Sequence, residues 1–240
     1  MKPVLLSIIL LVTLSAGAQE NIIKLDLSGI GIGSYALNYE RQITDNNTIN
    51  IKAGYWNMNA MFFNSDNAFG SLIDYFDTGD GISLENIRSG FHTSVDYRFY
   101  AKTSNEFEGV YFAPYLRYWE QNFDMSDFVR GHEFDVDTKL SSMGFGIQMG
   151  YQWVIKEKFI VDWYFVGLGL ERYRLKGDYI TDQSGFNYST IEGDVKQAFM
   201  TDYEFLNKRV KVEPDDERLR LRIPVWGPGI KTGLSVGYRF

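Results

Sequence analysis

The last eight residues, Gly233-Leu234-Ser235-Val236-Gly237-Tyr238-Arg239-Phe240, alternate between apolar side chains and small or charged ones. In an extended strand, successive side chains point to opposite faces. One face therefore carries Leu234, Val236, Tyr238 and Phe240, and the other carries Gly233, Ser235, Gly237 and Arg239. This pattern predicts a terminal β-strand with one apolar face that stops on an aromatic residue.

The beginning of the chain has the pattern of a secretory signal peptide. Lys2 precedes an apolar run from Val4 to Leu14, and the small residues Ala16-Gly17-Ala18 follow. A positive residue, an apolar segment and a small-x-small cleavage site are the parts of such a peptide. We therefore expect residues 1–18 to be removed and residues 19–240 to form one domain. A secreted chain that ends on this strand resembles an outer-membrane β-barrel, whose terminal aromatic residue, here Phe240, is part of the signal for the barrel assembly machinery.

Composition excludes several classes of protein. The net charge is -7 and there is no cysteine. A chain without a basic surplus is a poor candidate for binding nucleic acid, and the lack of cysteine excludes disulfides and thiolate metal sites. No run of 18 apolar residues follows the signal peptide, so we expect no membrane-spanning helix. The 16% of aromatic residues and the 23 glycines favour a β-barrel over a helical protein.

Eight segments of the chain alternate well enough to predict strands. They are residues 21–28, 34–42, 48–57, 87–101, 109–121, 137–154, 159–172 and 230–240. The last strand could begin as early as Arg218. Pro224 and Pro228 predict irregular or edge-like backbone in that region, because proline cannot donate to a ladder.

The predicted connections alternate between short and long. The short ones include residues 44–47, 103–106 and 156–158, and the long ones are residues 58–86, 122–136 and 173–217. Outer-membrane barrels have short turns in the periplasm and long loops outside the cell. We therefore predict an all-β fold, an eight-stranded antiparallel up-and-down transmembrane β-barrel with short periplasmic turns and long extracellular loops. Within the last loop, apolar residues at helical spacing predict a helix near Val195.

The alternation breaks once, in the seventh predicted strand. Val161, Trp163 and Phe165 are in phase with one another, whereas Leu168 and Leu170 are out of phase with them. An extra residue in one strand resets the faces. This predicts a β-bulge near residues 166–167, which would turn Asp162 inward.

The polar face of the predicted strands carries both signs of charge. Its charged residues are Lys24, Asp26, Glu40, Lys52, Arg88, His92, Asp96, Arg98, Arg117, Glu171, Lys231 and Arg239. Eight strands enclose a space that side chains fill, so we expect a closed, ion-paired interior rather than a pore. A proton or ion path and a polar ligand site are the alternatives.

Several stretches of the chain resemble a family of uncharacterised outer-membrane β-barrel proteins of Gram-negative bacteria that is defined only as a domain of unknown function. The matching stretches are Leu37–Arg41, Tyr111–Tyr118, Gly150–Trp153 and Val161–Trp163. The resemblance implies the fold and the location and no activity. It covers most of the mature chain except the long loops, and the segment of residues 173–217 lies outside it.

One spacing suggests catalysis. His92 and Ser94 lie two residues apart on one strand face, and His92-Thr93-Ser94 is similar to the His-x-Ser pair of outer-membrane lipid A deacylases. Val95-Asp96 depart from the deacylase pattern, and the alternation turns the pair inward, away from acyl chains. We therefore predict no catalytic residue, no cofactor-binding residue and no metal ligand, and no cofactor.

The acidic outer loops have two interpretations. Residues 58–86 contain five carboxylates and no lysine or arginine, and residues 122–136 add further carboxylates. Their spacing fits no calcium loop, which favours a solvated acidic rim. Divalent bridging to lipopolysaccharide phosphates is the alternative.

The sequence thus predicts a non-enzymatic integral outer-membrane β-barrel with a structural or surface-interaction role through its extracellular loops. Outer-membrane lipid, lipopolysaccharide and the assembly machinery are the expected partners, with no nucleic acid and no identified protein partner. Two alternatives remain. One is a soluble periplasmic lipocalin-like lipid carrier, in which the aromatic face would turn inward. The other is a lipid A-modifying barrel enzyme that uses His92 and Ser94.

Overall fold

The structure is a computed structural model that describes residues 21–56, 87–101, 107–202 and 209–240. The predicted signal peptide at residues 1–18, the predicted outer loop at residues 58–86 and the predicted turn at residues 103–106 lie outside the described residues.

Nine antiparallel strands form one sheet in the described ranges. They are β1 (Asn21–Asp26), β2 (Ser34–Thr44), β3 (Asn47–Trp56), β4 (Ile87–Tyr100), β5 (Gly109–Val129), β6 (His132–Ile155), β7 (Phe159–Ile180), β8 (Lys211–Pro214) and β9 (Leu219–Arg239). Neighbours in sequence pair from β1 to β7, and β9 pairs with both β7 and β1. Eight strands therefore close in an up-and-down ring, as predicted. The short strand β8, which pairs with β9, was not predicted by the alternation.

The ring closes with a stagger between its first and last strands. Register partners followed from Lys24 around the ring are Asn38, Lys52, Ser94, Arg117, Gly144, Glu171 and finally Gly227. Lys24 itself pairs with Gly237, which is ten residues beyond Gly227. Closed sheets of eight strands tilt by roughly 35–45° and have an interior about wide enough for side chains to fill. Side chains from distant strands therefore meet inside the ring.

Apolar side chains cover the outside of the ring. On β6, Met143 and Phe145 are 66% and 55% exposed, whereas Ser142 and Gln148 on the other face are 2% and 1% exposed. We call this outer surface the apolar belt. On β6 and β7 its exposed members are Met143, Phe145, Ile147, Met149, Trp153, Ile155, Phe159, Trp163, Phe165, Val166, Leu168 and Leu170. A carrier with its aromatic face around a ligand would have the two faces reversed, and the described strands do not have that arrangement.

A β-bulge interrupts β7 at the predicted break in phase. Phe165 has no register partner on β6, whereas Tyr164 and Val166 on either side of it do. Phe165 and Val166 both face outward, and Asp162 is 1% exposed in the interior. The predicted bulge and the inward Asp162 are confirmed, with the extra residue just before the predicted position.

Strands β5, β6, β7 and β9 continue beyond the apolar belt, and there the two faces exchange character. Outward side chains become charged, as at Asp135 and Arg174, and inward side chains become apolar, as at Phe134 and Val136. We call this part of the sheet, together with β8, the extension. Its strand segments are residues 119–129, 132–141, 172–180, 211–214 and 219–225.

The extension has a hydrophobic core of its own. Phe134 and Leu219 are fully buried there against Ile191 and Val195 from the segment that connects β7 to β8. That segment contains a 3-10 helix at Tyr188–Thr190 and an α-helix, α1, at Glu192–Asp202, which confirms the predicted helix. No helix in the described ranges is long and apolar enough to cross a membrane.

The structure contradicts the prediction of outer loops at residues 122–136 and 173–217 over much of their length. β5 and β6 run through residues 122–136 and meet in a two-residue turn, Arg130–Gly131, whose φ angles of 52° and 84° suit glycine at the second position. In the segment of residues 173–217, β7 continues to Ile180 and is followed by α1 and β8. The charged residues that indicated loops are the outward side chains of strands whose inward side chains form the core of the extension.

One edge of β9 has no strand partner among the described residues between its pairing with β8 and its pairing with β1. Pro224 and Pro228 lie in this interval. The backbone N and C=O groups of a strand residue point to one side, and those of the next residue point to the other. Both prolines are an even number of residues from Leu234, whose carbonyl accepts a hydrogen bond from Leu27 on the β1 side. The proline nitrogens therefore face the unpaired edge, and the ladder with β7 loses no hydrogen bond. The predicted edge-like backbone is confirmed, although the strand itself is continuous.

Candidate functional site

The interior of the ring holds a buried cluster centred on Arg98 of β4. The Arg98 Nε donates to Asp96 at 2.7 Å, and its Nη1 donates to Asp162 at 2.8 Å and to Glu40 at 3.2 Å. The Lys24 Nζ lies 2.7 Å from Asp162 and 2.5 Å from Glu40. All five side chains are at most 2% exposed. Each charge is therefore stabilised by its neighbours rather than by water.

Neutral side chains supply further hydrogen bonds to these carboxylates. They are Tyr111 to Asp162 at 2.8 Å, Tyr100 and Thr48 to Glu40 at 2.8 and 2.6 Å, and Asn50 and Gln148 to Asp96 at 2.9 and 3.1 Å. We call the ion pairs and these donors the Arg98 cluster. Charge-assisted hydrogen bonds of this kind are stronger than neutral ones, so the cluster holds strands β1 to β7 together from the inside.

Two further ion pairs lie between the Arg98 cluster and the extension. Lys52 pairs with Asp26, which also accepts a hydrogen bond from Tyr164 at 2.7 Å. Nearer the extension, Arg117 pairs with Glu171. Glu171 also accepts hydrogen bonds from the Ser142 hydroxyl at 2.7 Å and from the Trp119 indole at 3.3 Å.

Among the described residues, the charges that form the interior ion pairs balance. The cations are Lys24, Lys52, Arg98, Arg117 and Lys231, and the carboxylates are Asp26, Glu40, Asp96, Asp162 and Glu171. Lys231 completes the set, with its Nζ 3.8 Å from Asp96 and 4.9 Å from the ring centre of Tyr115. Buried charges persist when they are paired and hydrogen-bonded, so this arrangement suits a fixed interior rather than a reactive one.

Inward-facing glycines make room for the large polar side chains. A Cβ atom on Gly233 would lie 2.0 Å from the Tyr164 hydroxyl, and one on Gly150 would lie 2.4 Å from the Tyr111 hydroxyl. Both tyrosines donate to buried carboxylates. The high glycine content is therefore a condition for the interior network, because any side chain at these positions would displace a hydrogen-bond donor.

Most of the predicted inward charges are confirmed. The interior network contains all of them except Arg88, His92 and Arg239. The side chain of Arg88 lies outside the described residues, and Arg239 lies over the Phe107 ring at 4.9 Å. The interior tyrosines are the functional residues that the sequence analysis missed. Their position could have been found from parity, because Tyr111 and Tyr115 are out of phase with the outward-facing Phe112 and Leu116.

The structure does not join His92 to Ser94. The His92 Nε2 lies 2.9 Å from the Ser34 hydroxyl, and the His92 ring lies 5.3 Å from that of Trp56. Ser94 is buried and accepts a hydrogen bond from Lys231 at 3.4 Å. A nucleophile and its base need a hydrogen bond to each other, and neither residue makes one to the other.

The described residues contain no group of three or more histidine, aspartate or glutamate side chains that could hold a metal ion. The divalent bridging that the acidic segments suggested therefore has no preformed site within the described side chains of residues 122–136. The carboxylates of residues 58–86 lie outside the described residues.

We expect Arg117→Ala to lower the free energy of unfolding by about 1–3 kcal/mol, because Glu171, which is 1% exposed, loses its cation and keeps only neutral donors. The measurement is the urea midpoint of the protein refolded in detergent. Arg130→Ala is the matched control, since its ion pair with Asp194 is exposed and should contribute at most about 1 kcal/mol. An unchanged midpoint for Arg117→Ala would contradict the assigned role.

The comparisons with known proteins identify a family and no relative. A family model with the description "Protein of unknown function (DUF3575)" matches residues 4–199. The matched range includes residues 173–199, so the expectation that the whole segment of residues 173–217 lies outside the resemblance is wrong. No curated protein and no solved structure matches the chain.

Proposed function

We propose, from the premise that the chain belongs to the DUF3575 family of proteins of unknown function, that it is an integral outer-membrane β-barrel with a non-enzymatic role. That role is structural, or it is surface contact through the parts that project from the membrane. A domain of unknown function carries no activity to transfer, so the support comes from how side chains are distributed over the ring.

The observation that carries the proposal is the inverted distribution of apolar and charged side chains. Large apolar residues surround the ring on its outside, whereas Lys24, Arg98 and three carboxylates are buried within it. Soluble domains keep lysine, arginine and acidic residues in water and rarely expose a continuous apolar surface. Transmembrane barrels have an outward apolar band about 25 Å tall and a polar interior.

The limits of the apolar belt support an orientation across the membrane. At one end, two-residue and three-residue connections join β2 to β3 and β6 to β7, and Phe240 hydrogen-bonds with Asn21 beside them. At the other end the extension begins, with charged side chains outward. In the proposed orientation, residues 1–18 have been removed and the short turns face the periplasm, where Phe240 is recognised by the assembly machinery. The extension lies outside the cell.

The extension is the part of the molecule that is suited to surface contact. It carries its own buried core, so it holds its shape beyond the apolar belt without support from lipid. His92 and Ser94 are each engaged with another interior side chain, Ser34 and Lys231 respectively. These contacts favour the structural or surface role over the alternative of a lipid A-modifying enzyme.

The test is the electrophoretic mobility of the outer-membrane fraction, unheated and boiled in SDS. Folded membrane barrels keep their closed sheets in cold SDS, so the unheated protein should migrate differently from the boiled protein and should be found in the membrane fraction. Recovery of the protein in the soluble periplasmic fraction, with one mobility under both conditions, would reject the proposal.

A further inference from the structure

A row of like charges crosses the outward face of the extension. Lys139 lies opposite Lys176, Lys176 lies opposite Arg222, and Arg222 lies opposite Lys211, so four adjacent strands each contribute a cation at the same level. Residues directly opposite in an antiparallel pair have Cβ atoms roughly 5 Å apart, and like charges at that spacing destabilise the pair. We call these four residues the cation row.

The protein's own carboxylates neutralise the cation row only in part. Lys139 pairs with Glu120 at 2.8 Å, and Arg222 lies 3.8 Å from Glu213. Lys176, in the middle of the row, is exposed and makes no hydrogen bond and no close ion pair among the described residues, although it lies near enough to Glu120 to interact with that carboxylate electrostatically. Binding of an external anion would therefore reduce the repulsion among the four cations.

The cation row lies on the side of the extension that faces the apolar belt, and basic residues connect the two on β7. On β7, Leu170 is the last exposed apolar residue, and Arg172, Arg174 and Lys176 follow it on the same outward face. Six residues of strand span about 20 Å, and with a tilt of roughly 35–45° the row lies about 15 Å above the edge of the belt. On β7, basic side chains thus occupy the whole interval between the belt and the row.

Beyond the cation row, the next level of the same face is mostly acidic. Asp124 lies opposite Asp137, and Asp137 lies opposite Asp178. Arg220 lies at the same level, opposite Asp178 and Glu213. Residues of both levels line one open cleft of about 440 Å³. The acidic level and the net charge of -7 disfavour an extended polyanion such as nucleic acid. They favour a compact anionic group that approaches from the side of the belt.

We propose that the cation row binds phosphate groups on the headgroups of outer-leaflet glycolipid. This inference rests on the proposed membrane location. Acyl chains packed on the apolar belt hold a headgroup beside the row, which raises its effective concentration there far above that of a free anion. A phosphorylated saccharide is tall enough to reach past Arg172 and Arg174 to Lys176, and its phosphates match the charges that the row leaves uncompensated.

The experiment measures the affinity of the refolded mature protein, in uncharged detergent, for lipopolysaccharide. The comparison probes are the same lipopolysaccharide with its phosphates removed and inorganic phosphate. The variant Lys176→Glu/Arg222→Glu should bind lipopolysaccharide about tenfold or more weakly, because each basic residue near a membrane surface contributes measurably to anionic-lipid binding. Lys156→Glu/Lys158→Glu changes the net charge equally, at the opposite end of the ring, and should bind as the unaltered protein does.

Lys176→Gln shows whether weaker binding can be explained by misfolding alone, because it removes one charge from the row without adding a carboxylate. It should fold at least as stably as the unaltered protein and bind lipopolysaccharide several-fold more weakly. Fold is checked for every variant by the difference in SDS mobility before and after boiling. If the unaltered protein lacks that difference, the membrane proposal fails independently of the binding result.

Three results would overturn the inference for folded protein. One is equal affinity for phosphorylated and dephosphorylated lipopolysaccharide. A second is equal weakening by Lys156→Glu/Lys158→Glu, which would mean that only net charge matters. The third is binding of inorganic phosphate as tight as that of lipopolysaccharide, which would assign the row to a free anion rather than to a lipid.

Discussion

Arg98→Ala is expected to lower the free energy of unfolding by about 3–5 kcal/mol, because removal of one partner from a buried ionic cluster leaves uncompensated charge in the interior. Arg98 contacts Asp96, Asp162 and Glu40, and the cluster then retains Lys24 as the cation in contact with two of these carboxylates. The measurement is equilibrium unfolding in urea of the protein refolded into lipid vesicles or detergent.

Two variants sharpen this prediction. Arg98→Lys keeps the charge but loses the forked donors that reach three carboxylates at once, so we expect an intermediate loss of stability. Arg220→Ala is the surface control. Its partner Asp215, at 2.8 Å, also accepts the backbone N–H groups of Glu217 and Arg218, which hold the pKa of Asp215 below its usual value. Loss of Arg220 should therefore lower the free energy of unfolding much less than loss of Arg98 does, and equal losses for Arg98→Ala and Arg220→Ala would contradict the ranking.

Ile147→Arg is expected to destabilise the protein in lipid vesicles by about 2–4 kcal/mol, the range for a basic residue on the lipid face of a barrel near the middle of the bilayer. Ile147 faces outward, 49% exposed, in the middle of the apolar belt on β6. On an exposed surface in water, the same substitution would change stability by only about 0.5 kcal/mol in either direction. The experiment therefore separates a membrane protein from a soluble one.

Asp135→Arg is the matched control for Ile147→Arg, because it lies on the same strand and the same outward face but in the extension. Asp135→Arg changes the charge of the protein by more than Ile147→Arg does. We nevertheless expect little change in stability, since residue 135 is surrounded by water in the proposed orientation. Equal effects of the two substitutions in lipid vesicles would reject the assigned boundary of the apolar belt.

The wrong prediction of a loop at residues 122–136 follows from one ambiguity. A strand that is apolar outside and polar inside has the same period as a strand that is polar outside and apolar inside. Along β6, the first pattern holds from Ser142 to Ile155 and the second from His132 to Ser141. The charges of the second part therefore indicated a loop, although the alternation from Glu133 to Asp137 continues through it.

Sequence alone determined the alternation, the number of strands in the ring and the bulge that turns Asp162 inward, because each follows from the local rule that neighbouring side chains of a strand point to opposite faces. Only the tertiary structure decided which interior charges pair. Lys24 meets Asp162 across 138 positions of the chain because the ring closes with a stagger that brings β1, β2, β4 and β7 to one level. The same holds for the cation row, whose members become neighbours only when four extended strands share one register.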